Sequence, residues 1–288
     1  MKNLMQNKFI VFLCFLIILL VTWEMVSVAR IWPPWVFPTP YGVYESFVTQ
    51  LHQGILIPAI LTSMGRLLIG FLISLSLGTI LGILLSYYAI LRRTVGIALL
   101  GLQTMPSICW LPLAILWFGL NDKAIIFVII MGTFMSIAMN TVSAIELIPS
   151  SIIKAGVMLD ARGAKLYRHI IFPAMLPSYL MGIKQGWSFA WRSLITGEML
   201  FVTTGLGQML MFGRELNDIA QVFATMGIIL LLGVIVDNVI FGRIMHEIQV
   251  RWGLFVPNKA NCQSLVRDAS RLYNNAVAVC TDATDRTI

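Results

Sequence analysis

Long apolar segments alternate with short polar segments along most of this chain of 288 residues. Uninterrupted apolar runs of about 18 or more residues predict helices that cross a bilayer, because about 20 helical residues span the hydrocarbon core. The pattern predicts six spans: Phe9–Ala29, Ile57–Tyr88, Val95–Phe118, Ala124–Ile145, Leu176–Phe201 and Ile219–Ile244. These runs do not alternate with the period of two residues that membrane β-barrels show. We therefore expect an all-α polytopic membrane protein with six transmembrane helices.

Composition and charge support the same class. Charged residues make up 11% of the chain, against about 25% in soluble domains. Basic residues concentrate in alternate connecting segments, and the positive-inside rule assigns those segments to the cytoplasm. The basic residues assigned to the cytoplasm are Lys2, Lys8, Arg92, Arg93, Lys154, Arg162, Lys165, Arg168, Arg243, Arg251, Lys259, Arg267, Arg271 and Arg286, and those assigned outside are Arg30, Lys123 and Arg214. Both termini then face the cytoplasm, and the net charge of +7 requires no nucleic-acid partner.

The first apolar segment has two interpretations. A basic start and the small-residue site Ser27–Ala29 fit a cleaved signal peptide, whereas the length of the apolar run favours a retained span. After it, Ile31–Gly42 holds four prolines and two tryptophans, which predicts an extended connector at the membrane interface. The predicted organisation is 1–56 as N-terminal span and extracytoplasmic connector, 57–253 as transmembrane domain with a cytoplasmic loop at 146–175, and 254–288 as a polar cytoplasmic tail.

A basic, helix-compatible island lies between the fourth and fifth predicted spans, from Lys154 to Pro173 (KAGVMLDARGAKLYRHIIFP). It resembles the cytoplasmic loop by which permease subunits of bacterial ABC importers contact their ATPase, a Glu-Ala-Ala followed by a glycine and, further on, a proline. With Pro173 on that proline, Lys154-Ala155-Gly156 lies under Glu-Ala-Ala and Asp160 under the glycine. Asp is one of the residues that tolerate a left-handed backbone, whereas Lys154 reverses a charge. Either the contact is altered here or the register is shifted by a few residues.

Four further segments resemble the permeases of sulfonate, taurine and nitrate importers. They are Thr104–Leu120 (TMPSICWLPLAILWFGL) in the third span, Lys184–Met199 in the fifth, Thr203–Gln208 (TTGLGQ) after it, and Arg251–Gly253 (RWG). The similarity extends from about Trp32 to Gly253, and the similar segments follow one another in the same order as in that family. The chain is therefore identified as a member of the nitrate/sulfonate/taurine-type ABC permeases, which implies a type I ABC importer permease fold in the inner membrane of a bacterial cell.

The resemblance also implies partners. No segment of the sequence reads GxxxxGK[ST], the pattern of a P-loop nucleotide site, so ATP hydrolysis is assigned to two cytoplasmic ATPase subunits. A second permease copy or close paralogue and an extracytoplasmic solute-binding protein are also implied. The cysteines and histidines lack metal-ligand spacing, and neither a metal, a cofactor nor a catalytic constellation is expected. The residues that the resemblance places at the ATPase contact are Ala155, Gly156, Asp160, Ala161, Arg162, Gly163, Lys165 and Pro173.

The third predicted span is a candidate wall of the translocation pathway. Pro106 and Pro112 would interrupt the helical hydrogen bonds, and the freed carbonyls must then face protein or a watery cavity. A kink that serves packing alone is the alternative. Gly101 and Gly119 are expected to allow close approach of neighbouring helices.

The fifth predicted span carries polar residues along one flank. Lys184, Ser188 and Arg192 recur every four residues, and cations within a membrane normally face a cavity or a partner. A cation facing the pathway suits an anionic solute, unless Arg192 pairs with an acid such as Glu198 and Lys184 extends toward the cytoplasm. The candidate pathway residues on both spans are Pro106, Ser107, Pro112, Gln185, Ser188 and Arg192.

Two questions stay open at this point. An ion-coupled secondary transporter is the alternative class, with Asp237, Glu198 and Glu24 as the acidic residues in or near spans. Within the ABC permeases, we expect a small anion such as nitrate, an aliphatic sulfonate or taurine, while similar permeases carry bicarbonate or a pyrimidine precursor of thiamine. Arg66, near the start of the second span, is expected to anchor structure rather than to contact solute.

Overall fold

The computed structural model describes residues 8–29, 31–33, 36–201 and 204–251. Within these residues the regular secondary structure is helical throughout. The predicted tail, 254–288, lies outside the described residues. The chain divides into two compact units, Met1–Gly242 and Arg243–Ile288, and the first unit contains every element that carries the candidate site.

Helices follow one another through short turns. In chain order they are α1 (Lys8–Val28), α2 (Pro40–His52), α3 (Leu56–Tyr87), α4 (Ala89–Gln103), α5 (Ser107–Phe118), α6 (Asp122–Glu146), α7 (Ser150–Met158), α8 (Phe172–Leu200), α9 (Leu206–Glu215) and α10 (Ile219–Ile235). Ala164–Leu166 and the π-helical turn Tyr167–Ile171 lead into α8, and the π-helical turn Val236–Phe241 follows α10. The segment Gly242–Arg251 is also helical.

Length and composition identify several of these helices as membrane spans. The three that are long and apolar enough are Leu56–Tyr87, Asp122–Glu146 and Ile219–Ile248, and a fourth results if α4 and α5 count as one span. Helix α8 is long enough to span a membrane, but residues such as Lys184 and Arg192 make it more polar than these three helices. Near the N-terminus, the part of α1 from Cys14 to Val28 counts as a shorter apolar helix. The described residues thus contain three or four candidate spans of a multi-pass membrane protein, where the apolar pattern predicts six.

The predicted third span, Val95–Phe118, is not one continuous helix. Helices α4 and α5 are bent by 103° relative to each other. Pro106 lies at the break with ψ of 143°, outside the helical region, and its ring nitrogen has no hydrogen to donate to a continuing helix. The prediction that Pro112 breaks a helix as well is wrong. The first part of α5, Ser107–Trp110, is a 3-10 turn, and Pro112 lies in the first turn of the α-helical part, Leu111–Phe118, where proline is tolerated.

Helix α6 packs against both α3 and α8. Its residues Ile125, Val128 and Ile129 are fully buried in the main hydrophobic core. Phe71 of α3 and Trp187 of α8 meet edge to face in the same core, with ring centroids 5.1 Å apart. Burial of such large aromatic side chains contributes strongly to packing. This core fixes α8, and with it the polar flank of α8, against α3 and α6.

Close contact between α3 and α6 depends on small residues. A Cβ atom at Gly70 would lie 2.7 Å from Ile129, and one at Gly82 would lie 2.5 Å from the Cβ of Thr141 and 2.7 Å from the carbonyl oxygen of Ala138. Such distances are shorter than real contacts allow, so only glycine fits. Small residues that let two backbones approach are typical of helix pairs in membranes.

The prediction that Gly101 and Gly119 serve close helix contacts is wrong. A Cβ atom at either position would meet no atom within 4 Å in the described part of the chain. Gly119 instead has a positive φ of 72°, which suits the turn after α5. Glycines of α8 take the predicted role: a Cβ at Gly182 or Gly186 would collide with α6 side chains.

Substitution of Gly82 by leucine is expected to lower the free energy of unfolding by about 1–3 kcal/mol, because the added side chain overpacks the contact with α6. Gly65→Leu is the matched control on the same helix, since a Cβ at Gly65 meets nothing within 4 Å. The control should be neutral or slightly stabilising, because leucine favours helix more than glycine does. Thermal unfolding in detergent measures both, and equal midpoints for the two variants would contradict the packing role of Gly82.

Candidate functional site

The structure brings three of the predicted pathway residues onto one exposed surface. Gln185, Ser188 and Arg192 of α8 are all exposed, and their spacing places them along one flank of the helix. We call these three residues the α8 flank. The Nε atom of Arg192 donates to the carbonyl oxygen of Ser188 at 3.2 Å, and its guanidinium carbon lies 4.6 Å from the centroid of the Phe189 ring. Within the described residues, Arg192 forms no ion pair.

Lys184 lies on the same helix but is not free. Its Nζ atom is 3.0 Å from a carboxylate oxygen of Asp237, in the π-helical turn after α10. A carboxylate therefore compensates the charge of Lys184 within the chain, which agrees with a structural role for this cation. Of the two cations on α8, Arg192 is the one that a solute could neutralise.

A cavity of about 380 Å³ lies beside the α8 flank. The α8 side contributes Trp187, Ser188, Trp191 and Arg192, and residues of α10 and the turn after it, including Asn238, form the opposite wall. The lining combines the guanidinium of Arg192, hydroxyl and amide groups, two indole rings and the carboxylate of Asp237, whose charge is compensated by Lys184. Such a site can bind an anionic group through charge-assisted hydrogen bonds and can hold an apolar body against the indole rings.

The start of α5 packs against α6 and α8. A Cβ atom at Gly132 of α6 would overlap the Oγ atom of Ser193 and lie 3.3 Å from the Cβ of Ser107. Gly132 thus allows Ser107 and Ser193 to pack against α6. Ser193 is buried, so this contact lies inside the helix packing and not on the exposed α8 flank. Pro112 lies on the exposed surface of α5.

The basic island forms a helix and a turn. Helix α7 ends at Met158, and the turn uses positive φ angles at Asp160 (59°) and Gly163 (53°). Asp160 therefore adopts a left-handed backbone, which aspartate tolerates better than most residues other than glycine. The amide of Ala161 donates to the carbonyl oxygen of Gly156 at 3.0 Å, which closes the turn. We call residues 155–165 the coupling turn.

The residues predicted to contact the ATPase differ in their exposure. Ala155, Asp160, Arg162, Gly163 and Lys165 are exposed. The other predicted contact residues pack within the chain: Ala161 is 6% exposed, Gly156 is buried and Pro173 is half-buried.

Sequence reasoning missed the apolar tip of the coupling turn. Met158 and Leu159 are 86% and 79% exposed. Adjacent large apolar side chains at the end of a polar loop are unfavourable in water and typical of a contact surface. Their position between two helix-compatible stretches is the signal in the sequence that could have identified them.

A buried ionic network lies at the far end of α8. The carboxylate of Glu198 is fully buried and accepts hydrogen bonds from Ser63 Oγ at 2.8 Å and from Arg66 Nη1 at 2.9 Å. Arg66 is 5% exposed and also contacts Asp122 at 2.7 Å. The expectation that Arg66 anchors structure agrees with these contacts. The alternative pairing of Glu198 with Arg192 is excluded, since Arg66 takes that place.

The same network holds the loop after α8. The amide of Gly207 donates to Glu198 at 3.1 Å, and the amide of Leu206 donates to Ser63 Oγ at 2.9 Å. A Cβ atom at Gly205 would lie 2.6 Å from the Glu198 carboxylate, so this position requires glycine. The glycines of the TTGLGQ segment are thus explained by close packing on a buried carboxylate.

The arrangement of helices is that of the permease subunits of type I ABC importers. A solved structure of the MetNI methionine ABC transporter in an inward-facing conformation matches with a TM-score of 0.59 and 19% sequence identity. The match covers 67% of this chain and 96% of that chain. The match shows that the chain shares the fold of that membrane component.

The sequence places the chain in a particular family. Residues 74–248 match the binding-protein-dependent transport system inner membrane component family, and the chain belongs to it. An ABC transporter permease protein of Methanocaldococcus jannaschii is 32% identical over 76% of this chain and 83% of the relative. The aliphatic sulfonates transport permease SsuC of Bacillus subtilis is 27% identical, over 82% and 84%. The riboflavin transport permease RibX of Chloroflexus aurantiacus is 28% identical, over 82% and 88%. The membership predicted from the sequence is confirmed, and the chain is a multi-pass inner-membrane protein.

Proposed function

We propose that this chain is the transmembrane permease subunit of an ATP-driven importer for a small anionic solute. The observation that carries the proposal is the α8 flank, where Arg192 is exposed and, among the described residues, lacks a carboxylate partner. A cation that faces lipid costs about 2.5 kcal/mol or more, so the flank is expected to face water. An anion crossing there recovers part of its lost hydration from the guanidinium.

In this proposal the pathway requires a second chain. The chain spans the membrane six times with both termini in the cytoplasm, and two copies, or one copy and a close paralogue, face each other. The α8 helices lie near the shared axis, because their exposed polar flank is the surface that lipid solvates worst. Two ATPase subunits bind on the cytoplasmic side, and a soluble solute-binding protein delivers solute from outside.

The coupling turn is the proposed ATPase contact. Its tip exposes Met158 and Leu159, with charged Asp160, Arg162 and Lys165 beside them. The turn continues through Tyr167–Ile171 into α8. Closure of the ATPase dimer would therefore move α8 directly, and alternating access follows from rocking of packed helices.

Gly163→Trp is expected to uncouple ATP hydrolysis from uptake while the membrane helices stay folded. A side chain at Gly163 meets open space, so an indole would project into the proposed ATPase contact. The positive φ of Gly163 adds a strain of about 1–2 kcal/mol for tryptophan. Gly163→Asn is the matched control, because asparagine is small and tolerates this backbone. Parallel assays of ATPase rate and uptake test the pair, and normal coupled uptake by the tryptophan variant would count against this contact.

The transporting complex is expected to contain two permease chains for two ATPase chains. Each permease supplies one α8 flank, and a single flank leaves the pathway open to lipid. Native mass spectrometry of the purified complex, combined with an uptake assay on the same preparation, measures the ratio. A complex that transports with one permease for two ATPases would refute the assembly.

Among small anions, an aliphatic sulfonate is the favoured solute, ahead of nitrate. The cavity beside Arg192 has two indole faces, which suit an apolar body attached to an anionic group. Taurine also joins an apolar body to an anionic group. Bicarbonate would interact only with the guanidinium of Arg192, and a pyrimidine precursor of thiamine would interact mainly with the indole rings. Competition for uptake by unlabelled sulfonate, taurine, nitrate and bicarbonate distinguishes these solutes.

Ion-coupled secondary transport is the less favoured mechanism. It relies on ionisable groups that can exchange protons or cations within the membrane. Of the three acids in or near spans, Glu198 is paired with Arg66 and Asp237 with Lys184, and Glu24 is exposed on α1. The pairs therefore favour a structural role for these carboxylates.

A further inference from the structure

A groove of about 580 Å³ lies between the end of α3 and the start of α8. Its walls are largely apolar and include Leu84 of α3 and Ile171, Phe172 and Met175 around the start of α8. Leu84 and Phe172 are 41% and 50% exposed, so the groove is continuous with apolar surface that a membrane would cover. Contact of such walls with water is unfavourable, because apolar surface is stabilised by removal from water.

Three tyrosines line one end of the groove: Tyr87, Tyr88 and Tyr167. The Tyr87 ring lies 4.8 Å from the Tyr88 ring and 6.1 Å from the Tyr167 ring, between centroids. Tyrosines concentrate where the hydrocarbon of a bilayer meets its head groups. The pKa of the Tyr167 phenol is raised, first by its burial and then by Tyr87, so this hydroxyl stays neutral and able to donate. The rings thus mark the level of the head groups.

Arg168 supplies the charge at the same end of the groove. It is exposed and forms no ion pair within the described residues. Arg92, at the neighbouring end of α4, is by contrast paired with Glu146. Arg168 therefore adds an uncompensated guanidinium to an otherwise largely apolar lining. A ligand that satisfies both parts must join an anionic group to a long apolar chain.

We propose that this groove binds an anionic phospholipid, with one acyl chain along the apolar walls and the head-group phosphate on Arg168. Basic pockets between membrane helices recognise anionic head groups in this way, and guanidinium binds phosphate through two parallel hydrogen bonds. A soluble anion would leave the walls wet, and an apolar protein segment would leave Arg168 unpaired. The site depends neither on the transported solute nor on the proposed pathway.

The groove also borders the coupling turn, since Gly163 lines it together with Arg168. A lipid held there lies against the segment that the proposed function assigns to the ATPase contact. Binding itself can be measured without transport, so failure of the lipid site and failure of the proposed function are distinguishable.

The test uses the permease–ATPase complex in nanodiscs that contain phosphatidylcholine and a photoreactive phosphatidylglycerol with a diazirine on one acyl chain. Adducts are expected on peptides that contain Leu84 or Met175. Arg168→Gln should reduce retained phosphatidylglycerol about tenfold relative to phosphatidylcholine, because Arg168 attracts the net negative charge of phosphatidylglycerol, which phosphatidylcholine lacks. Arg93→Gln is the control, an exposed arginine near the same end of the helices that does not line this groove.

A second variant tests the apolar part alone. Leu84→Trp fills the slot and keeps Arg168, and it should also reduce labelling at Met175. Equal lipid retention in Arg168→Gln and Arg93→Gln would overturn the proposal, as would unchanged labelling in Leu84→Trp. Protection by water-soluble glycerol phosphate as complete as that by intact lipid would identify a soluble-anion site instead. Loss of labelling on addition of the ATPase to the permease would identify a protein contact, and either result would overturn the lipid site.

Discussion

Glu198→Gln is expected to cause the largest loss of stability of any single substitution considered for this chain. Removal of one partner from a buried ion pair costs about 3–5 kcal/mol, because the other charge is left without compensation. Glu198 is fully buried and Arg66 is 5% exposed, so water cannot replace the lost carboxylate. The effect should fall toward the lower end of this range, since Asp122 still contacts Arg66 at 2.7 Å.

The matched control is Glu146→Gln, which makes the same chemical change at a surface ion pair. Glu146 pairs with Arg92, and both side chains are about half exposed, so the loss should be about 0–1 kcal/mol. Thermal unfolding of both variants in the same detergent gives the comparison. Similar midpoints would mean that the buried network contributes no more than a surface pair, which would contradict its proposed role as the anchor of α3, α8 and the loop between α8 and α9.

Arg192→Gln is expected to reduce uptake strongly without unfolding the protein. The guanidinium lies at the exposed α8 flank and contacts only a backbone oxygen and an aromatic ring among the described residues. If it contacts the anionic solute, loss of a charge-assisted hydrogen bond should raise the solute concentration at half-maximal uptake about tenfold or more. Because Arg192 holds no buried carboxylate, its loss should cost less than about 1 kcal/mol of stability.

Arg192→Lys is the control that retains the positive charge, and it should keep a substantial part of the uptake that Arg192→Gln loses. Lys184→Gln, in contrast, would leave Asp237 unpaired and would mix a stability effect with any effect on transport. Uptake by reconstituted complexes is measured in parallel for the unsubstituted protein, Arg192→Gln and Arg192→Lys. A correctly assembled Arg192→Gln complex with normal half-saturation and rate would make Arg192 a structural cation only.

The apolar pattern predicted helices well where a helix is continuous. The second and fourth predicted spans, Ile57–Tyr88 and Ala124–Ile145, agree with α3 and α6 to within a residue or two at each end. The third predicted span does not correspond to one continuous helix. Helices α4 and α5 are both apolar but are bent by 103° relative to each other, and hydropathy reports apolar content without reporting the direction of the chain. In the sequence, Pro106 indicates that a helix is interrupted. The size of the bend depends on packing against other helices, which the sequence of one segment does not specify.

The polar contacts were less accessible to sequence reasoning than the spans. Arg66 and Glu198 are 132 residues apart along the chain, and nothing in either local sequence specifies the other as partner. Periodicity correctly grouped Ser188 and Arg192 on one flank of a helix, because four-residue spacing is a local property. It could not distinguish Lys184 from Arg192, since their difference depends on whether a carboxylate of another element comes within reach.

The central claim, that this chain forms the pathway of an ATP-driven importer, is tested most directly by uptake into proteoliposomes. The permease, its ATPase and its solute-binding protein are reconstituted together, and a labelled sulfonate is supplied outside with ATP inside. An ATP-driven importer should show uptake that requires ATP, requires the binding protein and persists when ion gradients are abolished. Uptake driven by a proton or sodium gradient, with neither ATP nor the ATPase present, would contradict it.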